Sequence, residues 1–145
     1  MSGNAVQSAA RRRIEQSELD AICARHDRLW QAKPGGARAV LAWLDLSGLS
    51  LRGRNLADAD FAAANLIGTD LSGARLDNAT FFGADMQDSL LVDASLRRTD
   101  LRGACLRGAD LTTELKRLGE AGYTRVWVSP GELADALAEQ GLLTL

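Results

Sequence analysis

Residues 59–73 read ADFAA ANLIG TDLSG, three successive five-residue units of one form. Stepping by five through the chain from Leu41 lands on Leu46, Leu51, Leu56, Phe61, Leu66, Leu71, Leu76, Phe81, Met86, Leu91, Leu96, Leu101, Leu106 and Leu111, all large and apolar. A small side chain stands two residues before most of these centres, as at Ala59, Ala64, Thr69, Ala74, Ala79, Ala84, Ser89, Ala94, Thr99, Ala104 and Ala109. Asp or Asn usually comes immediately before the centre (Asp45, Asn55, Asp60, Asn65, Asp70, Asp85, Asp100, Asp110). A period of five suits neither a helix nor a flat strand. Self-similarity at a fixed short period signals a solenoid whose units bury a shared core.

The Ala-Asp/Asn-Leu-x-x pattern over residues 39–113 resembles the pentapeptide-repeat family. The resemblance implies an all-β solenoid core, a right-handed quadrilateral β-helix of just under four coils with four repeats to a coil. Repeats twenty residues apart should then stack, so Leu41, Phe61, Phe81 and Leu101 share one side and the two phenylalanines lie one coil apart. The centre and the small residue point inward, and the two residues after each centre face outward or turn the corner. Gly48, Gly53, Gly68, Gly73, Gly83, Gly103 and Gly108 all fall two after a centre, where a sharp turn favours positive φ. At about 4.8 Å per rung the tower is about 18 Å tall.

The flanks break the pattern. Residues 1–16, ending near Arg11-Arg12-Arg13, read as a disordered tail whose arginines are a solvated basic run. Residues 17–38 read as a capping helix and linker. Ser17 is the expected N-cap, Leu19, Ile22, Cys23, His26, Leu29 and Trp30 form an apolar stripe, and Lys33-Pro34-Gly35-Gly36 ends it. Something must cover the open end of the first coil, and Leu29 and Trp30 are expected there. His26, the only histidine, reads as packed between helix and coil, since His26 and Cys23 lack the further ligands of a metal site.

Residues 114–145 read as a helix–strand–helix cap. The strand is Tyr123-Thr124-Arg125-Val126-Trp127-Val128, and Ser129-Pro130-Gly131-Glu132 starts the last helix. A lone strand needs a partner: the last coil's edge, another part of the chain, or a second copy across a two-fold axis. Tyr123, Val126, Trp127, Val128, Leu133, Leu137, Leu142 and Leu143 are the candidate cap and homodimer residues.

The 145-residue chain has a net charge of −2, which argues against general nucleic-acid affinity. No apolar run is long enough to span a bilayer, and the first residues lack a signal-peptide core. The widely spaced Cys23 and Cys105 read as reduced thiols of a cytoplasmic protein.

No phosphate loop, Ser-His-Asp set or metal-ligand spacing is visible, so no catalytic, cofactor or metal residues are assigned. Of the ten aspartates between residues 44 and 113, most stand before a centre, where side-chain to backbone bonding explains them. Function is therefore sought on outward positions that depart from the consensus. Leu90 and Val92, with Phe82 and Ile67, are apolar where polar residues are usual, and Arg97, Arg98, Arg102 and Arg107 cluster in sequence. Arg97 should stack on Asp77, Arg98 on Asn78, and Arg102 on Phe82 as a cation–π pair. These features make a rigid protein–protein interaction scaffold with an unidentified partner the leading reading. The family resemblance supplies an alternative, a DNA mimic that binds a type II topoisomerase such as DNA gyrase and protects it from inhibitors. Against it, residues 44–113 carry ten Asp and seven Arg, a weak net charge of −3. A third reading is anion or nucleic-acid binding through the arginines.

Overall fold

The computed structural model describes residues 11–111 and the two-residue strand Trp127–Val128. Its elements are β1 (Arg12–Arg13), α1 (Gln16–Trp30), β2 (Leu44–Asp45), β3 (Asp100–Leu101) and β4 (Trp127–Val128). From Val40 to Asp110 the regular feature is a ladder of parallel bridges at a constant offset of twenty: Val40 with Asp60, Asp45 with Asn65, Ser50 with Asp70, Asn55 with Arg75, and so on to Leu90 with Asp110. Each rung is short because the chain turns after every centre. Leu49 N–H donates to Leu46 O (3.1 Å) and Ala64 N–H to Phe61 O (3.0 Å), and the same bond recurs around the tower.

The turns explain the glycines and go beyond them. From Trp43 to Gly108, every residue two after a centre has φ between 56° and 73°. Seven of these positions hold glycine, and seven hold Trp43, Asp58, Ala63, Asn78, Asp88, Asp93 and Arg98. An L-residue held there costs about 1 kcal/mol, so the ladder imposes the turn even where the side chain resists it. Where Asp or Asn stands before the centre, its side chain braces the corner. Asp60 Oδ1 accepts from Ala62 N (2.9 Å), Asn65 Oδ1 from Ile67 N (3.1 Å) and Asp70 Oδ1 from Ser72 N (3.0 Å), as expected of residues that bond their own backbone two positions on.

All the centres from Leu41 to Leu111 are buried, together with the small residues from Ala59 to Ala109. Phe61 and Phe81 stack with ring centroids 4.6 Å apart and planes 4° from parallel, as the twenty-residue register requires. Where Thr or Ser replaces the small apolar residue, its hydroxyl is satisfied inside the wall: Thr69 Oγ1 donates to Leu46 O and Thr99 Oγ1 to Leu76 O, both at 2.9 Å. Among the described residues, no buried side-chain nitrogen or oxygen lacks a partner.

The N-terminal end corrects three expectations. Residues 12 and 13, placed in the disordered tail by composition, form β1, which pairs in parallel with β2 (Arg12 with Leu44, Arg13 with Asp45). Ile14 then donates to Asp45 O (3.4 Å) and is fully buried, in the role of a repeat centre one rung before Leu46. The exposed edge of β2 attracts this segment; its own polarity conceals it. Secondly, α1 starts earlier than Ser17, with Glu15 at the N-cap position and no side-chain cap bond. Thirdly, Leu29 and Trp30 remain about half exposed. Trp30 lies against Arg75, the guanidinium carbon 5.3 Å from its ring centroid, while Leu19, Cys23 and His26 do the covering.

The edge groups that β1 does not reach are met by side chains. Gln16 Nε2 donates to Ser50 O and Ser50 N–H donates to Gln16 Oε1, both at 2.8 Å, so one amide side chain replaces a peptide. His26 does the same at the next corner, fully buried. Ala39 N–H donates to Nδ1 (2.9 Å), which leaves the proton on Nε2 to donate to Ala57 O (2.9 Å). His26 is thus a packed structural residue. Arg54 adds ion pairs from the coil to Asp20 (3.3 Å) and Asp27 (3.9 Å) of α1.

At the other end, β4 pairs in parallel with β3 (Asp100 with Trp127, Leu101 with Val128). The last coil's edge is therefore the partner found for this strand, among those the sequence left open. Tyr123, Val126, Leu133, Leu137, Leu142 and Leu143 lie outside the described residues.

His26→Ala would remove a buried ring and orphan one backbone donor and one acceptor. It is expected to cost about 3 kcal/mol in urea unfolding. Gln16→Ala, at the exposed edge, should cost about 1 kcal/mol. Equal losses would refute the edge-satisfying role assigned to His26.

Candidate functional site

A quarter turn per repeat decides which outward residues can meet. Neighbours in sequence by five go to successive corners, while residues twenty apart share one. The four corners of the square follow the centres at Leu41, Leu46, Leu51 and Leu56, and are numbered first to fourth in that order. Phe82 is on the first corner, Ile67 on the second, Val92 on the third beside Leu90 on the adjoining wall. Val92 is half-buried, and Ile67 only 37% exposed. The structure does not bring these four into one patch.

The arginines separate in the same way: Arg102 is on the first corner, Arg107 on the second, Arg97 and Arg98 on the fourth. Their sequence clustering does not become a basic surface. The cross-rung neighbours are as anticipated for Arg97, whose N–H donates to Asp77 Oδ1 (3.0 Å). Arg98 shares its corner position with Asn78, both at positive φ. The Arg102 guanidinium lies over Phe82, 6.0 Å from the ring centroid, and also grips Asp100 through Nε and Nη2, both at 2.9 Å.

One corner and the wall leading into it do gather exposed apolar groups, and two of these escaped the sequence reading. Val40 is 57% exposed, Trp43 55% and Phe82 56%. Trp43 N–H donates to Ala62 O (3.0 Å) and Ala63 N–H donates to Phe82 O (2.9 Å), which puts Trp43 and Phe82 two rungs apart on the same corner. Between them Ala62, Ala63 and Gly83 leave a shallow groove of about 370 Å³, whose remaining wall is Arg11. Arg11 Nε donates to Ala63 O (2.9 Å), so the segment that supplies β1 also brings a guanidinium into the groove. Trp43 holds this position at φ 62°, in a conformation unusual for so bulky a residue. The signal available in the sequence was Trp43 falling two after a centre, where glycine is usual.

The third corner has a second depression, lined by Arg52, Gly53, Ser72, Gly73, Leu90, Val92, Asp93 and Asp110. Here Arg52 faces Asp70 (3.6 Å). Burial pushes the Asp70 carboxyl up, but hydrogen bonds from Ser72 and the Arg52 charge outweigh it, and the net direction is below the usual carboxylate range. Asp45 follows the same balance, with Ser47 and Arg13 outweighing burial. Asp100 is lowered chiefly by the Arg102 hydrogen bonds. Among the described residues no group of His, Cys, Asp and Glu could hold a metal ion, and no helix is long and apolar enough to cross a membrane. Burial pushes the Cys23 thiol up to about 11, whereas Cys105 is partly exposed on the second wall. Both are free thiols.

Comparison with known proteins places this geometry. A family model described as pentapeptide repeats matches residues 45–83 and 74–112, with eight copies. A search of curated protein sequences found no match. Among solved structures, a pentapeptide repeat protein from Nostoc Pcc 7120 is 26% identical, with 86% of this chain and 90% of that one covered and a TM-score of 0.50. A pentapeptide repeat protein from the Arabidopsis thaliana thylakoid lumen is 29% identical over 50% of this chain and 47% of that one, with a TM-score of 0.26. A plasmid-mediated fluoroquinolone resistance protein, QnrB1, is 15% identical over 76% and 72%, with a TM-score of 0.28. The architecture is that of a right-handed β-helix solenoid.

Because Asp45, Asp70 and Asp100 hold their protons less tightly when folded, the stability they contribute is present above about pH 4 and lost as pH falls below it. The melting temperature should be flat from pH 7 to 5 and fall below pH 4. Asp100→Asn should lower it at pH 7 and shallow the acid decline; an unchanged acid limb would contradict the assignment. A maleimide at pH 7.5 should label Cys105 at least tenfold faster than Cys23 in the folded protein, read by peptide mass spectrometry.

Proposed function

We infer, from the membership of residues 45–112 in the pentapeptide repeats, that this protein is a non-enzymatic scaffold whose solenoid presents a rigid surface to a protein partner. The observation that carries the reading is Val40, Trp43 and Phe82 left more than half exposed on one side of a tower whose core is otherwise closed. Single exposed apolar residues are ordinary, but a cluster that includes a bulky side chain in a strained corner conformation points to selection for contact. The ladder supports it as well. A surface fixed by backbone bonds at every rung loses little freedom on binding, so a modest patch suffices. Two free cysteines fit a reducing, cytoplasmic setting.

The topoisomerase reading needs a continuous acidic stripe to stand in for a phosphate backbone. Here Asp45, Asp70 and Asp100 are each met by an arginine, namely Arg13, Arg52 and Arg102, and the surface mixes both signs. The scaffold reading is accordingly the one adopted. β4 has a partner in its own chain, so the solenoid end does not require a second copy to complete that pair.

The test is affinity capture from a cell extract on the immobilised full chain, quantified by mass spectrometry. Wild type is compared with Trp43→Ser/Phe82→Ser and with Leu90→Ser/Val92→Ser, after circular dichroism has shown that all are folded. At least one protein should be enriched tenfold by wild type and by the Leu90/Val92 variant, and lost with the Trp43/Phe82 variant. Equal capture by all three would remove the first corner as the interaction surface.

A further inference from the structure

We propose that the first-corner groove binds an extended proline-type segment of a protein partner, with two apolar residues three apart and an acidic residue beside them. The proposal rests on the scaffold reading and names the chemistry of its partner. Its first support is spacing. Trp43 and Phe82 are separated by two rungs of the same corner, which at about 4.8 Å each places their backbones about 10 Å apart along the tower. A polyproline II segment rises about 3.1 Å per residue with three residues per turn, so side chains i and i+3 lie on one edge about 9 Å apart. A flat β-strand offers same-side spacings near 7 and 14 Å and fits neither. Aromatic walls around a shallow trough are the surface that such segments dock on, since the preformed helix gives up little entropy.

The second support is charge. Every groove-lining residue except Arg11 is uncharged: Trp43, Ala62, Ala63, Phe82 and Gly83. Arg11 uses Nε to hold Ala63 O, and among the described residues its two Nη groups have no hydrogen-bond or ion-pair partner. A guanidinium so fixed offers a planar donor pair to one carboxylate. The neighbouring Arg102 is already paired with Asp100 through Nε and Nη2. The groove is therefore locally cationic and aromatic on a chain of net charge −2. A nucleic-acid strand fits it poorly, since one guanidinium makes no phosphate track and Asp60 and Asp100 stand on the adjoining wall.

The probe is the capped peptide acetyl-Ala-Pro-Glu-Pro-Pro-Ala-amide, compared with its Glu→Gln twin, titrated into the ¹⁵N-labelled full chain. Shifts should be confined to the Trp43 indole and the backbone of residues 62–63 and 82–83, with sub-millimolar affinity for the Glu peptide and about fivefold weaker binding of the Gln peptide. Arg11→Gln should make the two peptides equal while leaving weak binding; Phe82→Ala should weaken both by tenfold or more. Equal affinity of the two peptides for wild type, shifts centred on the third corner, or the same shifts produced by oligo-dT but not by peptide would each overturn the proposal. If no peptide binds while extract capture still depends on Trp43 and Phe82, the acidic-segment proposal fails and the scaffold reading stands. If the peptides bind as described but capture is indifferent to those residues, the scaffold reading fails instead.

Discussion

From Leu41 to Leu91 the amide of each repeat centre donates to the carbonyl nineteen residues further on, Leu46 N to Asn65 O and Phe61 N to Thr80 O among them, both at 2.8 Å. Everything else in the solenoid depends on that bond. It sets the rung at twenty residues, and so makes Phe61 meet Phe81 face to face and Leu46 meet Leu66. It also forces a tight turn every five residues, and so holds Trp43, Ala63 and Arg98 at positive φ against their own preference. One neutral hydrogen bond contributes only about 1 kcal/mol net. Repeated at every rung in parallel with a closed apolar interior, such bonds outweigh the cost of seven left-handed side chains.

A ladder of this kind has a difficulty at its ends, where peptide groups lack a next rung. The protein meets it with short pieces of backbone and with side chains that imitate backbone. β1 and Ile14 extend the second wall, β4 covers Asp100 and Leu101, Gln16 faces Ser50 with both halves of its amide, and His26 joins Ala39 N to Ala57 O. The single histidine and the Arg11–Arg13 run are therefore parts of one end closure. Arg11 has a second consequence, because closing that end also puts its guanidinium in the first-corner groove.

The same twenty-residue rule governs what the outer surface can do. A cluster in sequence is dispersed: Arg97, Arg102 and Arg107 point from three corners. A cluster in space is assembled from residues that look unrelated in sequence, such as Arg11, Trp43 and Phe82. Binding sites on a quadrilateral solenoid are read by column, and this explains why the consensus departures at Ile67, Phe82 and Leu90 do not add up to one patch.

The five-residue pattern alone settles the repeat and the stacking register, and with them the buried centres, the Phe61–Phe81 contact and the role of the aspartates that precede a centre. Local chemistry repeated every five residues is enough, because each unit meets only its neighbours one coil away. Three-dimensional folding was needed for the pairing of Arg12–Arg13 with Leu44–Asp45, the half-exposed placement of Trp30 against Arg75, and the joining of Arg11, Trp43 and Phe82 in one groove. Those contacts link segments that share no period. β1 is held by unpaired peptide groups of β2, which carry no side-chain signature, so its polar residues read as a tail until the edge they complete is in view.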